Sequence, residues 1–173
     1  QCWLSVGTIE PRKNHATLLE AHDLYWEQSV HRRPIVIAGG AGWLSGEIHD
    51  RIALREKEGR VRYAGYVSEE ELNQLYAQAF AFVYPSHYEG FGLPVLEAME
   101  RGVPVISSQS TSLPEVGGDT VEYFDPSSPA QLAERMLELE RNEAHRVDLV
   151  ARARQRATEF SWKKVAAETI EFY

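Results

Sequence analysis

A chain of 173 residues with 43% hydrophobic and 25% charged side chains can fill one complete core, which excludes a disordered or fibrous protein. Its formal net charge of -8 argues against a nucleic-acid binder and against a polybasic membrane surface, yet leaves room for a local basic pair. The lone cysteine, Cys2, can form no internal disulfide, in keeping with a cytoplasmic setting, and no apolar run has the length of a membrane span. The chain opens at Gln1 without an initiator Met and stops at Tyr173 inside a helical pattern, so a piece of a longer polypeptide is expected.

Residues 3–6 read as a strand ending at Gly7, with Asn14 as N-cap of a helix over 16–26. The intervening loop carries Arg12 and Lys13 just ahead of that helix, where a guanidinium fork and an ammonium suit a pyrophosphate; a solvated basic pair is the plain alternative. In parallel α/β sheets ligands gather at the carboxyl ends of strands, so this loop is well placed. The wholly apolar second strand, 34–38, feeds Gly39, Gly40, Ala41, Gly42 and Trp43, whose glycine spacing does not match a dinucleotide fingerprint. Trp43 is expected to pack on its own helix, with stacking on a base as the alternative. That helix runs from 46 to about 58, with Ile48, Ile52 and, less regularly, Leu54 facing inward. A strand over 61–64 follows, and Ser68 with Glu71 forms a capping box whose acidic first turn suits the helix dipole.

Residues 81–84 form a buried strand stopped by Pro85, and 93–101 turn helical, with Leu93, Leu96 and Met99 near one face and Pro94 in the first turn. Between them, Gly90 and Gly92 bracket Phe91, a turn that lets backbone amides approach a ligand closely. No Ser, Thr, Asp or Asn immediately precedes Pro94, so the first helical amides lack a side-chain acceptor and an anion could take its place. Glu89 and Glu97, with seven residues between them, can each accept hydrogen bonds from vicinal hydroxyls. A polyhydroxylated, phosphorylated ligand such as a sugar nucleotide fits this set; two solvated glutamates beside a glycine turn are the bland reading.

A fifth strand is expected over 103–107, then a short helix opened by a Ser112 capping box, then a sixth strand over 121–124. Ser128 caps a helix over 129–142 with Gln131 as box partner, and helices follow over 144–159 and from 162 onward, the last capped by Ser161. The alternation predicts an α/β fold, a doubly wound, Rossmann-like parallel sheet of about six strands with helices on both faces. The histidines show no metal-ligand spacing, so no metal site is expected, and there is neither a nucleophile elbow nor a Walker loop.

The run Glu89, Gly90, Phe91, Gly92, Leu93, Pro94, Val95, Leu96, Glu97 resembles the E-x7-E signature of the family-4 retaining glycosyltransferases. Gly7 followed by Arg12 and Lys13 resembles their basic loop, and Gly65, Tyr66, Val67 and Ser68 their G-x-V-S element. The likeness runs in order through Leu113 to Val116 and Asp125 with Pro126, with departures at Glu100 and Arg101 and over 117–121. The resemblance implies the C-terminal half of a GT-B enzyme: residues 1–173 as the donor-binding domain, inactive alone, its N-terminal acceptor domain outside this chain. It implies Glu89, Arg12 and Lys13 as catalytic residues, with Glu89 on donor-sugar hydroxyls and the basic pair on the diphosphate. It gives donor contacts to Gly90, Phe91, Gly92 and Leu93, to Glu97 at the ribose, to Tyr66 and Val67 at the base, and to Gly7 and Gly39. The implied substrate is a nucleotide diphosphate sugar, GDP-mannose favoured, with no metal or other cofactor, and the acceptor a glycan or lipid-linked hydroxyl. A sugar-nucleotide epimerase of the same architecture and a non-catalytic sugar-nucleotide module remain the alternatives.

Overall fold

The computed structural model describes residues 1–161 together with Ala166 and Ile170; the helix expected from 162 lies outside that set. Six parallel strands, β1 (Cys2–Val6), β2 (Ile35–Ala38), β3 (Val61–Gly65), β4 (Ala79–Tyr84), β5 (Val105–Ser108) and β6 (Glu122–Phe124), form one sheet in the order β3-β2-β1-β4-β5-β6. The helices between and after them are α1 (His15–Gln28), α2 (Gly46–Lys57), α3 (Glu69–Gln78), α4 (Leu93–Glu100), α5 (Leu113–Gly117), α6 (Pro129–Arg141) and α7 (Glu143–Ala157). The expected doubly wound sheet is therefore present, and the strand order reverses between β1 and β4, the kind of place at whose carboxyl ends parallel α/β sheets bind ligands.

Alternation along each strand splits the core in two, since successive side chains leave opposite faces of the sheet. Trp3, Ile35, Ile37, Val83 and Ile106 pack under Leu18, Leu19 and Tyr25 of α1 and Leu132 and Met136 of α6. Leu4, Val36, Phe82, Tyr84 and Val105 meet Tyr76 of α3, Val95 and Met99 of α4, Val116 of α5 and Ala153 of α7. Register pairs Trp3 with Ile35 and Leu4 with Val36 on one side, and Leu4 with Phe82 on the other, so the two faces stay in step across the sheet. At the amino ends of the strands, Glu140 of α6 accepts from Tyr25 at 2.5 Å, from Ser29 at 2.8 Å and from Arg33 at 2.5 Å, tying α1 to α6.

Several local expectations change in the folded chain. Leu54 is 58% exposed and Ile52 takes the inward position, because α2 lies at the sheet margin and buries only a narrow stripe. The buried face of α4 is Val95, Ala98 and Met99, while Leu93 is 48% exposed at the rim. Trp43 is 60% exposed and does not pack away against its helix. The Ser68 and Glu71 capping box is complete. Ser128 accepts from the Gln131 amide, but the Gln131 side chain accepts from the Asp125 amide and leaves the box half made. Asn14 and Ser112 cap nothing with their side chains; both are drawn into contacts between loops.

Candidate functional site

All five loops that leave the carboxyl ends of β1 to β5 meet along one rim. The β1–α1 loop carries Gly7 and ends in a short 3-10 turn, Pro11–Lys13. Asn14 then takes a left-handed conformation, φ 55, which turns its side chain away from the helix. Its amide instead donates to Pro85 O at 3.0 Å and Pro126 O at 2.8 Å, and the His87 amide donates to Arg12 O at 2.8 Å. These bonds lock the first loop against the loops after β4 and β6.

Locking brings Arg12 and Lys13 onto Glu89, 77 and 76 positions away. Lys13 Nζ lies 2.7 Å from Glu89 Oε1, and Arg12 Nη1 lies 3.0 Å from Oε2. Arg12 Nε pairs with Glu10 at 2.5 Å. Tyr84, the last residue of β4, accepts from Lys13 Nζ at 2.7 Å and donates to Glu89 Oε1 at 2.9 Å. Lys13 and Glu89 are each only 8% exposed, so neither charge could stand there without its partner. Burial pushes the Glu89 carboxyl up, but hydrogen bonds from Lys13 and Tyr84 and the Lys13 charge outweigh it and hold it below the usual carboxylate range. Ser86 beside it is fully buried, and among the described residues its hydroxyl has no hydrogen-bond partner. Burial, then the Glu89 charge, raises the Tyr84 phenol far above its ordinary range, so it stays protonated. Burial disfavours the charged form of Arg12, but Glu89 and Glu10 more than offset this and hold the guanidinium firmly protonated.

The backbone of Glu89 is held as closely as its carboxylate. Thr111 accepts from the Glu89 amide at 3.0 Å and donates to its carbonyl at 3.0 Å. Ser112 Oγ lies 3.0 Å from both Glu89 O and Phe91 O and shares its one proton between them, which is why it is lost as a helix cap. Gly92 sits at φ 106 as N-cap of α4, and a Cβ there would stand 2.6 Å from Leu113 Cδ2, so both conformation and space demand glycine. Among the described residues no side chain caps α4, and Pro94 has no N–H; the positive end of this helix faces the rim without an acidic residue in its first turn. Phe91 packs edge-on against Phe160, ring centroids 6.0 Å apart.

The remaining expected residues line the same rim without joining the ionic cluster. Gly39 presses on the first loop, since a Cβ on it would fall 2.0 Å from Gly7 O, and its amide donates to Gly65 O at 2.7 Å. A Cβ on Gly7 would touch the Lys13 stem at 3.4 Å. Beyond Gly65, Val67 packs on the core while the Tyr66 side chain is 89% exposed. Among the described residues Gly90 has no neighbour within 4 Å of where a Cβ would stand. The Glu97 side chain, 40% exposed, lies against Tyr76 OH at 3.4 Å and Arg101 at 4.0 Å, apart from Glu89. Sequence reasoning missed Tyr84, Thr111, Ser86 and the true use of Asn14 and Ser112. Tyr84 reads as one more core aromatic, and only the serine and threonine cluster over 107–112 hinted at loop-binding hydroxyls. Among the described residues no group of three or more His, Cys, Asp or Glu side chains could hold a metal ion. A surface groove between α1 and α6, lined by Leu24, Gln28, Glu134 and Arg141, is separate from the rim and gathers no such cluster.

A family model described as glycosyl transferases group 1 matches residues 2–156, a span that includes every residue of the cluster. The chain belongs to this family. Among its glycosyltransferase relatives, O-antigen chain mannosyltransferase B of Escherichia coli is 42% identical over 170 residues, 98% of this chain and 45% of that protein. The serotype-specific mannosyltransferase WbdA of Escherichia coli is 36% identical over 173 residues, 97% of this chain and 21% of that protein. The chain thus spans about half, or less, of the length of these relatives. The crystal structure of the C-terminal domain of a glycosyl transferase group 1 family protein, LpcC, from Francisella tularensis superposes with a TM-score of 0.79. That alignment covers 91% of this chain and 85% of that domain at 22% identity, so it speaks for the glycosyltransferase fold alone.

Proposed function

We propose that this chain binds the donor of a retaining glycosyltransferase, and that the whole protein moves a hexose from a nucleoside diphosphate to an acceptor hydroxyl. The observation that carries the reading is the meeting of Arg12 and Lys13 with Glu89 at the point where the strand order reverses. As the glycosyl–phosphate bond loosens, negative charge gathers on the leaving diphosphate. Lys13, Arg12 and the amides from Gly90 to Leu93 would meet that charge, and donors fixed in advance typically contribute about 10²–10³ in rate each. Glu89 would orient sugar hydroxyls. Its two oxygens already receive Lys13, Tyr84 and Arg12, which suits an oriented acceptor better than a free nucleophile. Glu97, half open to solvent, would take the ribose, and the backbone at Tyr66 and Val67, beside Gly39, the base.

Mannose from GDP-mannose is the donor we favour, because relatives that align with nearly the whole of this chain are named mannosyltransferases. The acceptor would enter from a further domain, and a cytoplasmic reaction rests on the cysteine content alone. Among the described residues no helix is long and apolar enough to cross a membrane. The test is calorimetric titration of the full-length protein with UDP-, GDP- and ADP-sugars, followed by transfer assays with Glu89→Ala. GDP-mannose should bind most tightly and the variant should lose about 10²–10³ in turnover. A variant that transfers at the normal rate would sink the catalytic reading.

A further inference from the structure

We propose that Tyr84 is a positioning residue for transfer: its hydroxyl stands between the Lys13 ammonium and the Glu89 carboxylate and determines where both charges sit. The inference rests on the donor-site reading of Lys13 and Glu89 given above. Three polar atoms close a ring, with Lys13 Nζ 2.7 Å from the phenol oxygen, the phenol 2.9 Å from Glu89 Oε1, and Oε1 2.7 Å from Nζ. Chemistry fixes the direction of each bond. An ammonium only donates and a carboxylate only accepts, so the phenol oxygen must receive from Lys13 and give its own proton to Glu89.

This arrangement spends two of the three Lys13 protons and leaves the third for a ligand. The hydroxyl also has a firmer footing than the groups it joins. Lys13 and Glu89 come from two loops, whereas Tyr84 ends β4, is paired with Ser107 of β5, and is 1% exposed. Its ring stacks on Phe82 at 5.7 Å and an interplanar angle of 23°, and Phe82 in turn packs on Tyr76, so the ring cannot swing. A phenylalanine would fill the same core volume. Only the hydroxyl reaches the site, and it ties both charges to the sheet.

Tyr84→Phe in the full-length protein separates the hydroxyl from the packing. Removing one hydrogen bond to each of two charged groups should lower kcat about ten-fold, with the donor KM changed less than about three-fold. The midpoint of thermal unfolding should move little. Glu89 is faced by Lys13 and Arg12 from the first loop and by Tyr84 from β4, with Glu10 behind Arg12. The Tyr84 hydroxyl is one of the groups that hold the Glu89 carboxyl low, so its loss should shift the acid limb of the kcat profile to higher pH. Lys13→Ala and Glu89→Ala run beside it in the same assay. If both of these lose transfer while Tyr84→Phe keeps wild-type kcat and an unmoved acid limb, the positioning role is overturned and the donor reading stands. A loss of kcat matched by a loss of fold, with no shift of the limb, overturns it as well. If Lys13→Ala and Glu89→Ala transfer normally, the donor reading fails and takes this proposal with it.

Discussion

Along the rim, the side that carries Lys13 and Glu89 is buried and closed upon itself, whereas the side that carries Tyr66 and Trp43 stands open to solvent. Lys13 and Glu89 are each 8% exposed and every carboxylate oxygen has a partner; Tyr66 is 89% and Trp43 60% exposed. The difference follows from what each side must do in the proposed reaction. Charges that act on a leaving diphosphate gain from being fixed beforehand in a dry setting, so their reorganisation is settled in folding. A base held through backbone atoms makes no such demand, and exposed aromatic side chains there cost the fold little. Protonation and substitution should therefore act strongly on the first side and weakly on the second.

Acid should give the largest effect. His15, first residue of α1 and beside Lys13, is 3% exposed, and its Nδ1 has no partner among the described residues. Burial first, then the Lys13 charge and His49, lowers its pKa from 6.5 to about 4. A depressed histidine contributes stability that is complete above its unfolded value and is lost as pH falls towards the folded one. Between pH 6.5 and about 4 the chain should lose about 3 kcal/mol from His15. The buried His22 shifts in the same direction and adds to the slope. Glu89, held low, keeps its contribution until the pH drops below its usual 4.5 and then loses it. Urea midpoints measured across this range should fall steadily, and His15→Gln should flatten the upper part; an unchanged slope would show that the histidine is not held neutral.

Gly92→Ala comes next. The added methyl meets Leu113 at 2.6 Å and must adopt φ 106, so a destabilisation of about 2 kcal/mol is expected, with weaker donor binding because the α4 amides shift. Unfolding and calorimetry on the same preparation check both. The smallest effect belongs to the open side: Tyr66→Ala should alter stability by less than about 0.5 kcal/mol and leave the base preference in place. A large loss there would mean that the exposed ring, and not the backbone, recognises the donor, and the contrast between the two sides would dissolve.

Much of this was legible in the order of residues. Alternating apolar runs and helical stretches implied a parallel sheet, the Ser68 and Glu71 box was read correctly, and the glycine turn between Glu89 and Glu97 marked the passage from the fourth strand to its helix. Such features depend on neighbours within about one helical turn or one strand, which is the reach of local rules. Only the tertiary structure decided that β1 lies beside β4, and with that adjacency came the pairing of Lys13 with Glu89. It also decided that Asn14 and Ser112 spend their polar groups on other loops instead of their own helices, and that one aromatic in an apolar run, Tyr84, reaches the site through its hydroxyl. A side chain capable of two hydrogen-bonding roles takes the one that satisfies buried partners, and those partners come from distant parts of the chain.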